Sequence, residues 1–145
     1  MGRAAVTRRP VVVLGVIGHD IHVVANRILA IGLAEHGFHA VNLGTNTEVD
    51  DFLDAARETG AAAVLVSSIN GEGEQACAGF GARLAEAGLA EVVRYAGGNL
   101  VIGHRPSAEV ERIFTGYGFH RVFHRPSDLT GMFTALRHDL GHVAA

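Results

Sequence analysis

Val11-Val12-Val13-Leu14-Gly15-Val16-Ile17 runs directly into Gly18-His19-Asp20-Ile21-His22. The first stretch is continuous, apolar and mostly β-branched, the composition of a strand buried on both faces of a sheet. The second stretch puts a carboxylate and an imidazole where that strand ends. Two further runs carry polar or small residues in the same place. Ala61–Val66 ends in Ser67-Ser68-Ile69, and Val92–Ala96 ends in Gly97-Gly98. A ligand-type histidine, a small hydroxyl and a glycine pair therefore fall at the carboxyl ends of three strands. In an open α/β sheet, that edge is where ligands bind.

Outward from these runs, short apolar segments alternate with longer helical patterns. Ile28, Leu29, Ile31 and Leu33 have helical spacing over Val24–His36, and Gly37 stands at the C-cap. Phe38–Leu43 reads as the second strand. Thr47 is the expected N-cap of a helix over Glu48–Thr59, with Asp50 in an imperfect capping box and Gly60 at the end. One helix is expected over Gly73–Ala87, closed by Gly88. Ser107 is read as the cap of Ala108–Thr115, Phe119–Phe123 as the fifth strand, and Ser127 or Asp128 as the opening of a helix to Leu140. Such alternation implies a parallel sheet with helices on both faces. Right-handed crossovers and five strands select the flavodoxin-like order 2-1-3-4-5. The expected organisation is a disordered tail over 1–10 and one domain over 11–141.

The chain has 145 residues, nineteen of them glycine, and a formal net charge of −3 with a pI near 6.3. That is an ordinary size for one domain. No basic cluster argues for nucleic acid. No apolar stretch reaches the roughly 20 residues of a membrane span. Arg3, Arg8 and Arg9 precede an apolar run that is short for a signal peptide and is followed at once by His19-Asp20. The lone Cys77 has no internal disulfide partner and reads as a small core residue of a cytoplasmic protein. His138 and His142 are four apart on the last helix and read as a solvated helix end. His36, His39, His120 and His124 flank strands and read as surface residues. Gly71-Glu72-Gly73 lacks the Gly-Lys-Ser/Thr of a phosphate loop.

A neutral imidazole is a good ligand for cobalt, iron, zinc or copper. A ligating histidine usually gives its second ring N–H to a carboxylate, which raises its basicity. Asp20, two residues before His22, is the acid closest in sequence to do so.

The order Asp-x-His-x-x-Gly, Ser-x-Leu and Gly-Gly resembles the cobalamin (B12)-binding domain family. Here it reads Asp20-Ile21-His22-Val23-Val24-Ala25, Ser67-Ser68-Ile69 and Gly97-Gly98, with intervals of 41 and 27 residues. The wording is most similar to the small subunits of glutamate (methylaspartate) mutases, through Val13-Leu14-Gly15-Val16-Ile17-Gly18, Val41-Asn42-Leu43-Gly44, Val66-Ser67-Ser68-Ile69 and Gly97-Gly98-Asn99. The resemblance runs over nearly all of Val11–Leu140. Three departures stand in it. Ala25 replaces the motif glycine, Ile69 replaces leucine, and Pro126-Ser127 lacks the glycine that often follows the last strand in the family.

The resemblance implies that His22 replaces the cofactor's dimethylbenzimidazole as lower axial ligand to cobalt, with Asp20 hydrogen-bonded to its far nitrogen. It implies that the displaced nucleotide tail threads a channel beside the sheet. Ser67 lies where the family hydrogen-bonds the benzimidazole of that tail, and Gly97 and Gly98 where the lack of a side chain lets the tail pass against backbone. Ala25 would lie beside the corrin, and Ile21, Val23, Ser68, Ile69 and Asn99 are counted with these as cofactor-binding residues. The implied chemistry is homolysis of the cobalt–carbon bond of adenosylcobalamin, starting a radical rearrangement of L-glutamate to (2S,3S)-3-methylaspartate. The substrate would be held by a larger barrel-fold subunit, because a barrel takes about 250 residues. No catalytic residue is expected on this chain, which would be inactive alone. A corrinoid carrier for methyl transfer is the second reading; such carriers usually add an N-terminal helical bundle, and only ten residues precede Val11. A small subunit acting on another amino acid or acyl substrate, a cobalamin sensor, and flavodoxin-like binding of a ligand other than cobalamin are the remaining ones.

Overall fold

The computed structural model describes residues 9–18, 23–68, 70–124 and 129–141. Asp20, Ile21, His22, Ile69, Ser127 and Asp128 lie outside them. Five strands, β1 (Val11–Val16), β2 (His39–Asn42), β3 (Ala63–Ser68), β4 (Val93–Gly98) and β5 (Arg121–His124), form one sheet. All pairings are parallel and the order is β2-β1-β3-β4-β5, as the alternation predicts. The helices are α1 (Val24–Glu35), α2 (Val49–Thr59), α3 (Gly73–Ala76), α4 (Phe80–Glu86), α5 (Ser107–Gly116) and α6 (Thr130–Asp139).

Strand side chains alternate between two apolar layers. Val13, Val64, Val66 and Ala96 pack under α2, α4 and α5 against Phe52, Phe80, Leu84, Val110 and Phe114. Val12, Leu14, Leu65 and Tyr95 pack on the opposite face under α1 and α6 against Leu29, Leu33, Met132, Phe133 and Leu136. Burying both faces requires the near-continuous apolar strands noted in the sequence. The Tyr95 hydroxyl donates to Asp139, and Arg121 clamps the same carboxylate at 2.7 and 2.9 Å. This trio pins the end of α6 to β4 and β5. No helix among the described residues is long and apolar enough to cross a membrane.

Four local expectations are corrected. The helix expected over Gly73–Ala87 is two helices, because Gly79 adopts a left-handed φ of 76° that breaks it ahead of the fully buried Phe80. Thr47 does not cap α2. Its hydroxyl donates to the Val16 carbonyl at 2.6 Å, clamping the end of β1, and Glu48 occupies the N-cap with its N–H on Asp51 at 2.9 Å. Ser107 is the first helical residue of α5, with Pro106 before it as the cap. His36 and His124 are half-buried rather than surface residues; His36 stacks on Phe133 with centroids 4.3 Å apart and donates from Nδ1 to the Gly32 carbonyl.

Candidate functional site

Parallel pairing puts every strand's carboxyl end at one edge. There the register makes a single row across four strands: Val16, Ser67, Gly97 and Phe123. By strand periodicity these residues point to the face covered by α1 and α6. Ser67 and Gly97 are half-buried. Among the described residues, a Cβ placed on Gly97 would touch only Phe123, at 3.6 and 3.7 Å, so the glycine leaves a cradle in front of it.

The neighbouring row serves the scaffold. Ser68 is fully buried on the opposite face, and its hydroxyl accepts the Gly73 N–H at 3.0 Å, which starts α3. Gly98 pairs with Ser68 and has a φ of 99°. β3 and β4 thus end two residues later than the apolar runs suggested, and both serine and glycine pairs lie inside strands.

Two loops border this edge. The segment after β4 packs on the segment after β3: the Gly71 N–H donates to the Asn99 carbonyl and the Glu74 N–H to the Leu100 carbonyl, both at 3.1 Å. Arg105 locks the pair, bonding Glu74 at 2.7 and 3.1 Å and Glu109 at 2.8 Å. Hydrogen bonds first to Glu74 and then to Glu109 raise the guanidinium's pKa. Glu72 also reaches this edge, and sequence reasoning did not single it out. A Cβ on Gly18 would lie 2.8 Å from its Oε1, so its carboxylate sits over the end of β1, where the His19–His22 segment begins. The signal was topological: adjacent strands place their following loops together.

On the other flank stands the first turn of α1. Val23, Val24 and Ala25 are exposed there, and the apolar exposure continues through Ile28 and Ile31. Ile102, at 75% exposure, is its counterpart on the loop after β4. Beneath that turn lies Asn26, only 4% exposed. Its Oδ1 accepts from Asn42 Nδ2 at 2.7 Å, while its own Nδ2 has no partner among the described residues. Cys77 is buried in the core, and burial pushes its thiol up to about 12, so it is no nucleophile. Of the residues singled out in the sequence, the structure brings Ser67, Gly97, Val23, Ala25 and the Asn99 segment to one edge. Asp20, Ile21, His22 and Ile69 lie outside the described residues, in segments whose flanks end there.

The B12 binding domain family model matches residues 10–117. The chain is 43% identical to the glutamate mutase sigma subunit of Yersinia enterocolitica, over 94% of this chain and 92% of that protein. It is 47% identical to the glutamate mutase sigma subunit of Carboxydothermus hydrogenoformans, over 89% and 94% respectively. A solved cobalamin-binding protein from Desulfitobacterium hafniense superimposes with a TM-score of 0.74 at 17% identity, over 94% of this chain and 62% of that one. That likeness concerns the fold.

Proposed function

The chain belongs to the B12-binding domain family, and we propose that it is the cobalamin-binding small subunit of a two-component adenosylcobalamin-dependent mutase that converts L-glutamate to 3-methylaspartate. The near full-length match to the sigma subunits carries this reading. The geometry agrees with it. A half-buried hydroxyl, a glycine cradle and a buried unpaired amide donor share one face of the sheet edge, a donor set suited to a polar, slender group entering beside the sheet.

In this reading residues 11–141 act as one cofactor-binding domain. His22 would bind the cobalt, and Asp20 would accept its other ring N–H, fixing the tautomer and raising its basicity. Ser67 offers its hydroxyl to the nucleotide tail. Gly97 admits the tail against backbone, and Ile69 and Asn99 close the channel's mouth. Ser68 and Gly98 hold β3 and β4 in the register that places them. Ile21, Val23 and Ala25 form the floor beneath the corrin. Bound adenosylcobalamin supplies a carbon-centred radical by homolysis of its cobalt–carbon bond. Everything this chain does is to bind, orient and shield. The larger barrel-fold partner holds the substrate, so the chain alone has no mutase activity. A free, buried Cys77 suits a reducing cytoplasm.

Electron paramagnetic resonance of cob(II)alamin on protein carrying isotopically labelled histidine tests the ligand assignment. Hyperfine coupling to a protein nitrogen is expected. A spectrum that still reports dimethylbenzimidazole nitrogen overturns it.

A further inference from the structure

The Asn26 side chain is 4% exposed, and its amide nitrogen has no hydrogen-bond partner among the described residues. The assignment of its oxygen and nitrogen is dictated by a chain of bonds. The Gly44 N–H donates to Asn42 Oδ1 at 2.9 Å, so Asn42 must present its NH2 elsewhere. That NH2 meets Asn26 at 2.7 Å, so Asn26 must offer its oxygen there. Its own NH2 is left without an acceptor among the described residues. Burying an amide donor without an acceptor is unfavourable, and a leucine would fill the position without that cost. Asn26 continues the sheet-facing stripe of α1 that holds Leu29 and Leu33, one turn nearer the strands' carboxyl edge. It lies on the face shared with Ser67 and Gly97.

We propose that the Asn26 amide is a binding group held in reserve for the cofactor's nucleotide tail, donating to one of its phosphate or ribose oxygens. This rests on the cobalamin reading above. The acceptor has to reach a position that is almost completely covered by α1. The wide corrin ring does not fit under a helix, whereas the slender tail does. Asn26 then defines the wall of the channel on the β1–β2 side, opposite the Ser67–Gly97 row.

The test titrates cobalamin, and cobinamide, which lacks the tail, into the native protein, Asn26→Leu and Asn26→Asp, following the corrinoid absorbance. Urea unfolding without corrinoid accompanies each titration. Asn26→Leu is expected to unfold at the same or higher urea concentration, because it removes an unpaired buried donor. It is expected to bind cobalamin at least tenfold more weakly and cobinamide as the native protein does. Asn26→Asp retains the acceptor for Asn42 and loses the donor; it should show the same selective loss and serves if the leucine variant misfolds. Unchanged cobalamin affinity, or equal losses for both corrinoids, overturns the assignment to the tail. A native protein that binds neither corrinoid would instead overturn the cobalamin reading itself.

Discussion

Ser68 and Gly98 are register partners on β3 and β4, and a Cβ on Gly98 would run into the Ser68 carbonyl oxygen. With a φ of 99° as well, Gly98 is required by the fold. Gly97, one residue earlier, has a conventional φ and room for a methyl group. The two glycines therefore separate by experiment. Gly98→Ala should lower unfolding stability by about 2 kcal/mol or more, from backbone strain plus the clash. Gly97→Ala should leave stability unchanged or raised by up to about 1 kcal/mol, since glycine weakens a strand. It should cut cobalamin affinity roughly tenfold, about 1.4 kcal/mol, by filling the cradle. Native-like cobalamin binding by Gly97→Ala would show that nothing passes over that glycine.

The Tyr95–Asp139–Arg121 trio predicts an acid limb of stability. Hydrogen bonds from Arg121 first, and from Tyr95, hold the Asp139 carboxyl down at about 2 against the opposing effect of burial. The folded pKa lies below the unfolded value near 4, so folding favours the carboxylate. Its contribution is fully present above pH 4–5 and is lost as pH falls through 4 toward 2. Arg121 is 42% exposed, so solvent screening holds the gain to about 1 kcal/mol. Asp139→Asn should unfold more easily at pH 7 and show a shallower loss between pH 5 and 2. Parallel pH–stability curves for the two proteins would remove the trio from the acid response.

The apolar runs of β1 and β3 made the parallel sheet and its strand order legible, because strands covered on both faces carry no alternation to mistake. The Ser67–Ser68 and Gly97–Gly98 pairs stand at the carboxyl ends of β3 and β4, as expected. Which face of the sheet each member takes was not legible from the runs alone, since it depends on where the strands stop. β3 and β4 run two residues past their apolar segments, and that extension sends Ser67 and Gly97 to one face and Ser68 and Gly98 into the scaffold. Glu72 and Asn26 were invisible for a related reason. Their importance lies in neighbours supplied by other loops and strands, Gly18 for one and Asn42 for the other. Thr47 looked like a cap from its residue type, but the Val16 carbonyl at the end of β1, which also accepts the Thr47 N–H, took its hydroxyl.

Ala25 stands where the family motif has glycine, and it is exposed in the first turn of α1. Nothing in the described structure requires its methyl group. Ala25→Gly should cost up to about 1 kcal/mol in helix stability. It should bind cobalamin at least as tightly as the native chain, because the smaller residue leaves more room beside the corrin. Clearly weaker binding would mark the alanine as an adapted contact.

The proposed division of labour predicts thermodynamic coupling between cofactor and partner. The sheet edge is flanked by Val24, Ile28 and Ile102, at 69, 55 and 75% exposure. A corrin seated there would still have one face open to water on the isolated chain. A partner that closes over it removes that face and the flanking side chains from solvent together, so each binding event strengthens the other. Linkage requires the two effects to be equal: if cobalamin tightens partner binding tenfold, about 1.4 kcal/mol, the partner tightens cobalamin binding tenfold. Titrating the larger subunit into this chain with and without cobalamin measures one side of the cycle, and titrating cobalamin with and without the subunit measures the other. At least tenfold coupling is expected, with glutamate turnover only when all three components are present. Equal partner affinity in both conditions would mean the cofactor is not at the interface, and turnover by the isolated chain would overturn the two-component reading.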